Sequence, residues 1–427
     1  LLLELVGLAT IIPIIKLTID NNSINNEFID IEFISSFFGF QNTLIFLLIF
    51  LLIVFFIKML FFVLLVYKQK NFVSNLVKKI SDKLFNRYLN QEFSYFSNKN
   101  RSSIIQNLQS ETYYLFLFFE STTTIISEFL LVLSMLLFIL FLEPQGFILM
   151  FLYFTSSTLI YLFLTKKKST QWGQKRLYLD QSMAKLILET FGSIKEILIY
   201  NTQRYFSNNY KSINSRKTKY ISYRLTIDQF PKLYYEFITI IFIVIYTYYL
   251  SIETNGVGSI IVKLGIIIAI AYKVIPSLSK ISSSYQTIKN YSSSLKKIVD
   301  ELISSKEEDT TRIHIKSFNK HISLKELSFS YKKNQQILEN INIKINKNET
   351  IGIVGNSGSG KTTLLDILSG LENSFNGQIL IDGKKINFKT ERWKPNIGYV
   401  SQKTFIFEGS IKQNIISSNI FEDIDLN

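Results

Sequence analysis

The sequence predicts an all-α membrane bundle of six helices followed by an α/β domain. Three observations support this. Six apolar runs, five of membrane-crossing length, fall within the first 276 residues. The basic residues between those runs cluster on alternate connectors. After His321 the pattern changes to short apolar strands around the glycine-rich stretch Gly355 to Thr362.

Composition narrows the class further. A chain of 427 residues is long enough for more than one domain. It is 47% hydrophobic and 15% aromatic, with 37 Phe and 23 Tyr, so disorder, collagen and small secreted scaffolds are excluded. With no Cys, these residues offer no disulfide, cysteine nucleophile or thiolate metal site, and two His are too few for a polyhistidine site.

The runs are taken in order. Residues 1–15 form a short one, expected to be the tail of a helix whose start is missing. No basic leader precedes it and no small-residue cleavage pattern follows, so it does not read as a signal peptide. Residues 44–67 are interrupted only by Lys58; residues 113–142 contain Glu120 and Glu128; residues 147–164 contain no charge. Residues 233–250 contain Glu236, and residues 257–275 contain Lys263 and Lys273. Each of these five is close to the ~20 residues that cross ~30 Å of hydrocarbon.

Charge sets the orientation. Segment 68–112 has eight Lys and Arg and segment 165–232 has fourteen, whereas segment 16–42 has only Lys16 against four acids. Basic connectors stay on the cytoplasmic side. Six crossings with both ends inside satisfy this pattern, and the net charge of +14 reads as topology. Nucleic-acid binding is not expected, because the cations follow the membrane boundaries and have no interleaved aromatic platform. The two basic segments exceed ordinary loop length. They are expected to continue the spans as helices into the cytoplasm, while the connectors 143–146 and 251–256 close tight outer hairpins.

Residues 277–310 are expected to be a polar helical connector. Strands are expected around Ile322 to Phe329, Ile337 to Ile345, Thr350 to Val354, Gly377 to Ile381 and Ile397 to Val400, with an Asp382–Gly383 turn after the fourth. Between the third strand and a helix starting at Thr363 lies Gly355-Asn356-Ser357-Gly358-Ser359-Gly360-Lys361-Thr362. This is G-x-x-x-x-G-K-S/T. Its glycines let successive backbone N–H groups curl around phosphate oxygens. Lys361 supplies a point charge for the terminal phosphates, the Thr362 hydroxyl suits Mg2+, and the helix start at Thr363 adds unpaired N–H groups. Tyr331 either stacks on a base or packs on the sheet. Gln402, at a strand end, either reaches Mg2+ and the attacking water or is polar surface.

These residues resemble the ATP-binding cassette transporter family in its exporter-type architecture. Gly355 to Thr362 is similar to the Walker A loop. Gln402, within Tyr399-Val400-Ser401-Gln402, is similar to the Q-loop glutamine, and Phe405 to Ile415 to the segment after it. Tyr331 matches the adenine-stacking aromatic. The resemblance implies ATP and Mg2+ as cofactors, Lys361 and Gln402 as catalytic residues, Thr362 and Gln402 at the metal, and a homodimer of half-transporters in a bacterial cytoplasmic membrane. It implies a transmembrane domain over 1–303, a linker over 304–320 and the N-terminal part of the nucleotide-binding domain over 321–427. Coupling helices are implied within 86–96 and 200–210. Leu3 to Ala9, Tyr88 to Tyr95, Gly192 to Ile197, Val274 to Ile281 and Tyr285 to Ile288 resemble lipid-linked oligosaccharide flippases. Flipping of such a glycolipid is therefore expected, with export of other lipids, peptides or drugs as the alternative. A receptor or channel with a regulatory nucleotide-binding domain is the alternative of another class.

The resemblance also marks departures. The family's signature segment, the Walker B aspartate with its adjacent glutamate, and the switch histidine are expected beyond Asn427. The chain is thus expected to be incomplete at both ends, and inactive as ATP hydrolase by itself. Inside the spans, Lys58, Glu120 and Glu128 are candidate substrate contacts, since ionisable groups at membrane depth face a cavity or a partner. Mutual neutralisation of Lys58 by one of these glutamates is the alternative.

Overall fold

A computed structural model describes residues 43–142, 144–253, 257–304, 313–315, 317–332, 335–387, 391–393, 397–401 and 405–415, with Val6 and Thr10. It divides into two units, Leu1–Gln91 with Phe96–Glu307 and Glu92–Tyr95 with Glu308–Asn427. Among the described residues the first unit is helical: α1 Thr43–Leu89, α2 Phe93–Asn98, α3 Arg101–Gln106, α4 Thr112–Leu142, α5 Pro144–Gly192, α6 Ile194–Ile199, α7 Gln203–Glu253 and α8 Val257–Ser304. Of these helices α2 alone starts in the second unit, at Phe93.

Five helical stretches are long and apolar enough to cross a membrane. The run 1–15 lies outside the described residues apart from Val6 and Thr10, so five of the six expected crossings are visible. At 1.5 Å per residue α1 is ~70 Å long, about twice the reach of its apolar run. The excess is the basic half, which the absence of Gly and Pro from segment 68–112 permits. The outer hairpins are tight. Pro144 opens α5 two residues after Leu142 closes α4, at a position where its missing N–H costs nothing. At the inner end of α5 the chain breaks at Gly192, runs through α6, and turns through Asn201 at φ 51.

The apolar half packs α4, α5, α7 and α8 around Met135, Ile139, Met150, Tyr235, Phe242 and Ile267. By contrast α1 leaves Leu52, Phe56 and Phe62 about two-thirds exposed, the arrangement of a helix whose surroundings are hydrocarbon. The α5–α8 crossing depends on a glycine. A Cβ on Gly173 would lie 2.0 Å from the Asn290 carbonyl oxygen, so the backbones meet at that point.

The basic half is held by a polar core. Arg176 of α5 donates to Asp180 at 3.0 Å and to Ser294 of α8 at 2.7 Å, and lies 3.7 Å from the Glu111 carboxylate. Its guanidinium lies 3.8 Å from the Tyr114 ring centroid, and Lys217 of α7 reaches Asp180 at 2.7 Å. Glu111 ends a π-helical turn, Asn107–Glu111, between α3 and α4. The wider turn places Asn107 and Glu111 side chains in the core, both fully buried.

The second unit contains β1 Ile313–Ile315, β2 His321–Lys332, β3 Gln335–Asn346, α9 Lys361–Leu368, β4 Asn376–Ile381, β5 Lys384–Lys385, β6 Glu391–Trp393 and α10 Ile411–Ile415. An antiparallel sheet has the order β3-β2-β4-β5, and β1 pairs with β6 in parallel. Leu324, Leu327 and Phe329 of β2, with a register shift between the first two, and Leu338 of β3 meet Ile367, Ile379 and Trp393 in one core. Trp393 is buried and donates its indole N–H to the Leu368 carbonyl at 2.7 Å, which seats the end of α9.

The Asp382–Gly383 turn forms as expected, with φ 53 and 88 between the paired residues Ile381 and Lys384. Two other expectations fail. Thr350 to Val354 and Ile397 to Val400 join no ladder among the described residues, and Val354 and Val400 are 96% and 94% exposed. An apolar run becomes a buried strand only when strands flank it and helices cover it. Among the described residues no strand pairs with either segment.

Candidate functional site

The glycine-rich stretch is built on the junction of an extended segment and α9. Gly358 and Gly360 have φ 83 and 89, the left-handed region that favours glycine. At Gly360 space is also limiting, since an added Cβ would lie 2.8 Å from the Leu338 side chain and 3.1 Å from the Ile337 carbonyl oxygen of β3. The loop closes with the Ser359 N–H donating to the Asn356 carbonyl at 3.2 Å, and α9 begins with Leu364 donating to Gly360 at 2.9 Å. The first N–H groups of α9, those of Lys361 to Thr363, have no carbonyl one turn back and point toward the loop.

Lys361 arches over the loop. Its ammonium donates to the carbonyls of Gly355 and Asn356, both at 2.7 Å. Ser357, Gly358, Ser359 and Thr362 are exposed around it, whereas the Thr363 side chain is buried under the helix, which leaves Thr363 its backbone N–H to offer. Further along α9, burial raises the Asp366 carboxyl above the usual carboxylate range, and the neighbouring Glu372 adds to that rise. Asp366 thus belongs to the packing beneath the loop. Tyr331 is the next-to-last residue of β2, and only its backbone is described. Gln402 lies outside the described residues.

The membrane residues separate. Glu120 pairs with Lys70, and Glu128 pairs with Lys280 at 2.7 Å. Lys58 lines a cavity of about 800 Å³ together with Glu128, Lys232, Glu236, Lys273 and Lys280. The cavity joins one expected pair, Lys58 and Glu128, and leaves Glu120 out. Lys232, Lys273 and Lys280 were not expected there. A faint signal for them exists, because Lys273 and Lys280 are seven apart and Lys232 and Glu236 four apart, both helical same-face spacings.

Two family models match the chain. Residues 6–271 match the ABC transporter transmembrane region, well over half of the chain, and residues 338–425 match the ABC transporter domain. The chain belongs to the ABC transporter family. It is a multi-pass membrane protein with its nucleotide-binding domain on the cytoplasmic side.

Among curated relatives, this ABC transporter is 42% identical to the lacticin-481/lactococcin-DR transport/processing ATP-binding protein of Lactococcus lactis subsp. lactis over 111 residues, 26% of the chain and 15% of that protein. It is 32% identical to the leukotoxin export ATP-binding protein of Aggregatibacter actinomycetemcomitans over 152 residues, 35% of the chain and 22% of that protein. With the leukotoxin translocation ATP-binding protein of Mannheimia haemolytica it shares 34% over 149 residues, 34% of the chain and 21% of that protein. The chain thus matches between about a seventh and a quarter of each relative's length.

The loop of this ABC transporter fits a nucleotide phosphate. It has an exposed rim, two left-handed glycines that open the backbone, a helix start beneath and one ammonium above. The exposed Thr362 hydroxyl is an oxygen ligand of the kind that suits a hard cation such as Mg2+.

Proposed function

We propose that the protein couples ATP hydrolysis to export across the membrane, and that it does so as a homodimer of half-transporters. The observation that carries this reading is the Lys361 ammonium bridging the Gly355 and Asn356 carbonyls above the start of α9, in a chain whose larger part is an ABC transmembrane region. In this reading residues 1–303 move cargo, 304–320 link, and 321–427 begin the nucleotide-binding domain.

The proposed roles follow from chemistry on the loop. Backbone N–H groups from Gly355 to Thr363, including those of Asn356, Ser357, Gly358, Ser359 and Gly360, receive phosphate oxygens. Lys361 leaves its two carbonyls to neutralise the terminal phosphates. Thr362 offers its hydroxyl to Mg2+, and the bound ion neutralises charge on the phosphate oxygens. Tyr331 stacks on the base. Gln402 orients water and metal. ATP shifts the transporter between conformations by binding one more tightly than the other.

For cargo, we favour a peptide or protein toxin, because the relatives are named for lacticin-481 transport and leukotoxin export. Those matches span 111–152 residues, fewer than the 266 of the transmembrane match, so they speak for cargo less directly than for family. The lipid-linked oligosaccharide reading rests on the short sequence resemblances alone. Lys361→Ala in the intact protein, reconstituted in proteoliposomes, is expected to abolish ATP-dependent transport. Transport at the parental rate would overturn the coupling. ATPase stimulation by lipid-linked sugars and none by peptides would overturn the peptide reading.

A further inference from the structure

On α5 an exposed apolar face runs into three exposed lysines. Leu152, Leu159, Phe163 and Leu164 are each more than half exposed, while Tyr161, Ser169 and Gly173 on the other side of the helix are buried. The apolar run 147–164 is followed, after Thr165 alone, by Lys166, Lys167 and Lys168, all exposed. Leu164, Lys167, Lys168 and Gln171 stand at i, i+3, i+4 and i+7, so they form one exposed stripe along the helix. No Asp or Glu occurs from residue 144 to residue 179, so α5 supplies no carboxylate one turn away from these lysines. On α1 the same membrane boundary is handled differently, since Lys70 pairs with Glu120 of α4.

Depth assigns what this stripe meets. At 1.5 Å per residue the lysines lie ~3–6 Å beyond Leu164, where the apolar run ends. The polar headgroup layer is about 5–8 Å thick on each side of the hydrocarbon, so the three ammonium groups fall within it. Helical side chains lean toward the helix N-terminus. The N-terminal end of α5 carries the apolar run, so the lysines lean back toward the membrane and not out into the cytoplasm. Basic clusters directly cytoplasmic of a span attract anionic lipid headgroups. The exposed Phe163 and Leu164 side chains lie one turn nearer the bilayer, at the depth where acyl chains begin.

We propose that the Lys166–Lys168 collar of α5 binds the phosphate of an anionic phospholipid in the cytoplasmic leaflet, with Lys167, Lys168 and Gln171 on the headgroup and Phe163 and Leu164 against its acyl chains. The binding is independent of which cargo the transporter moves. The intact protein would be reconstituted in nanodiscs of equal phosphatidylglycerol and phosphatidylcholine, extracted, and its retained lipid weighed by native mass spectrometry. Phosphatidylglycerol is expected to be retained in preference. Each lysine removed should cost about fivefold in that retention, so Lys166→Gln, Lys167→Gln and Lys168→Gln together should cost about a hundredfold. Lys185→Gln removes a lysine from an exposed ion pair ~30 Å further along α5, and is expected to retain lipid as the parent does. If the triple variant does not fold, Lys167→Glu alone provides the same reading by charge reversal. Equal retention of the two lipids, or unchanged retention in the variants, would overturn the proposal. Unchanged retention with loss of a dimer in the triple variant would overturn it too, and would assign the face to a second copy of the chain. Displacement of the lipid by millimolar inorganic phosphate at constant ionic strength would overturn the lipid as the source of the phosphate.

Discussion

Two residues show how single positions are constrained by opposite means. At Gly360 the constraint is steric. Its φ of 89 and the 2.8 Å approach of Leu338 leave no room for a Cβ. Gly360→Ala is expected to destabilise the loop by about 1–2 kcal/mol through the left-handed backbone alone, and to lower ATP affinity in an equilibrium binding assay. Affinity equal to the parent would show that the loop can rearrange. At Arg176 the constraint is electrostatic. Glu111 is fully buried and Asp180 nearly so, and the guanidinium lies within 3.7 Å of both. Arg176→Ala leaves two buried carboxylates without the guanidinium between them, and is expected to cost about 3–5 kcal/mol, read as a lowered thermal midpoint of the detergent-solubilised protein. Adding Glu111→Gln should recover part of that loss. An unchanged midpoint in Arg176→Ala would mean that the cluster contributes nothing.

These residues were unequally legible. The phosphate loop is local, eight consecutive residues whose types suffice to identify it. The Arg176 cluster brings together Glu111, Tyr114, Asp180, Lys217 and Ser294 from helices up to 183 positions apart in the chain. Only the Arg176–Asp180 spacing of four hints at it, and that spacing is common on solvated helices. Of the cavity lysines, Lys58 was legible as a charge inside an apolar run, whereas Lys232, Lys273 and Lys280 left only same-face spacings of four and seven, because convergence across helices leaves little mark on local periodicity.

At the scale of elements, periodicity and turn chemistry carried further than strand propensity. Helix lengths follow from apolar runs that continue into basic segments with few helix breakers, none in 68–112 and only Gly173, Gly192 and Pro231 in 165–232, and Asp382–Gly383 dictates the hairpin between β4 and β5. The strands expected at Thr350 and Ile397 depend on neighbours, which composition cannot supply. The β4–β5 hairpin also has a pH dependence. The Asp382 carboxylate accepts N–H groups from Asn319 at 2.8 Å, Lys320 at 2.6 Å and His321 at 3.0 Å, which hold its carboxyl below the usual range, the Asn319 bond foremost. A lowered carboxyl stabilises the fold fully above the unfolded value of about 3.9 and loses that stabilisation as pH falls through the folded value. Hydrogen exchange at Lys320 and His321 is expected to lose protection in that acid range, beyond the intrinsic change. In Asp382→Asn that protection should already be low at neutral pH. Full protection in the variant would show that the carboxylate is dispensable.

Across the whole molecule, one pattern joins composition to topology: the net charge of +14 arises from basic segments that alternate with apolar runs. That alternation places segment 165–232 on the cytoplasmic side and the 143–146 hairpin outside. The 427 residues contain no Cys, so single cysteines can report the sidedness directly. Gln145→Cys is at the exposed start of α5, and Asn208→Cys is on the exposed surface of α7. In intact cells a membrane-impermeant maleimide is expected to label the cysteine at 145 and spare the one at 208, and permeabilisation should expose the second. Exposed positions on helices tolerate such substitutions with changes within about 0.5 kcal/mol, so a change of labelling reports sidedness and not unfolding. Labelling of both positions from outside would require the basic segment to cross the membrane. The positive charge would then lose its topological meaning.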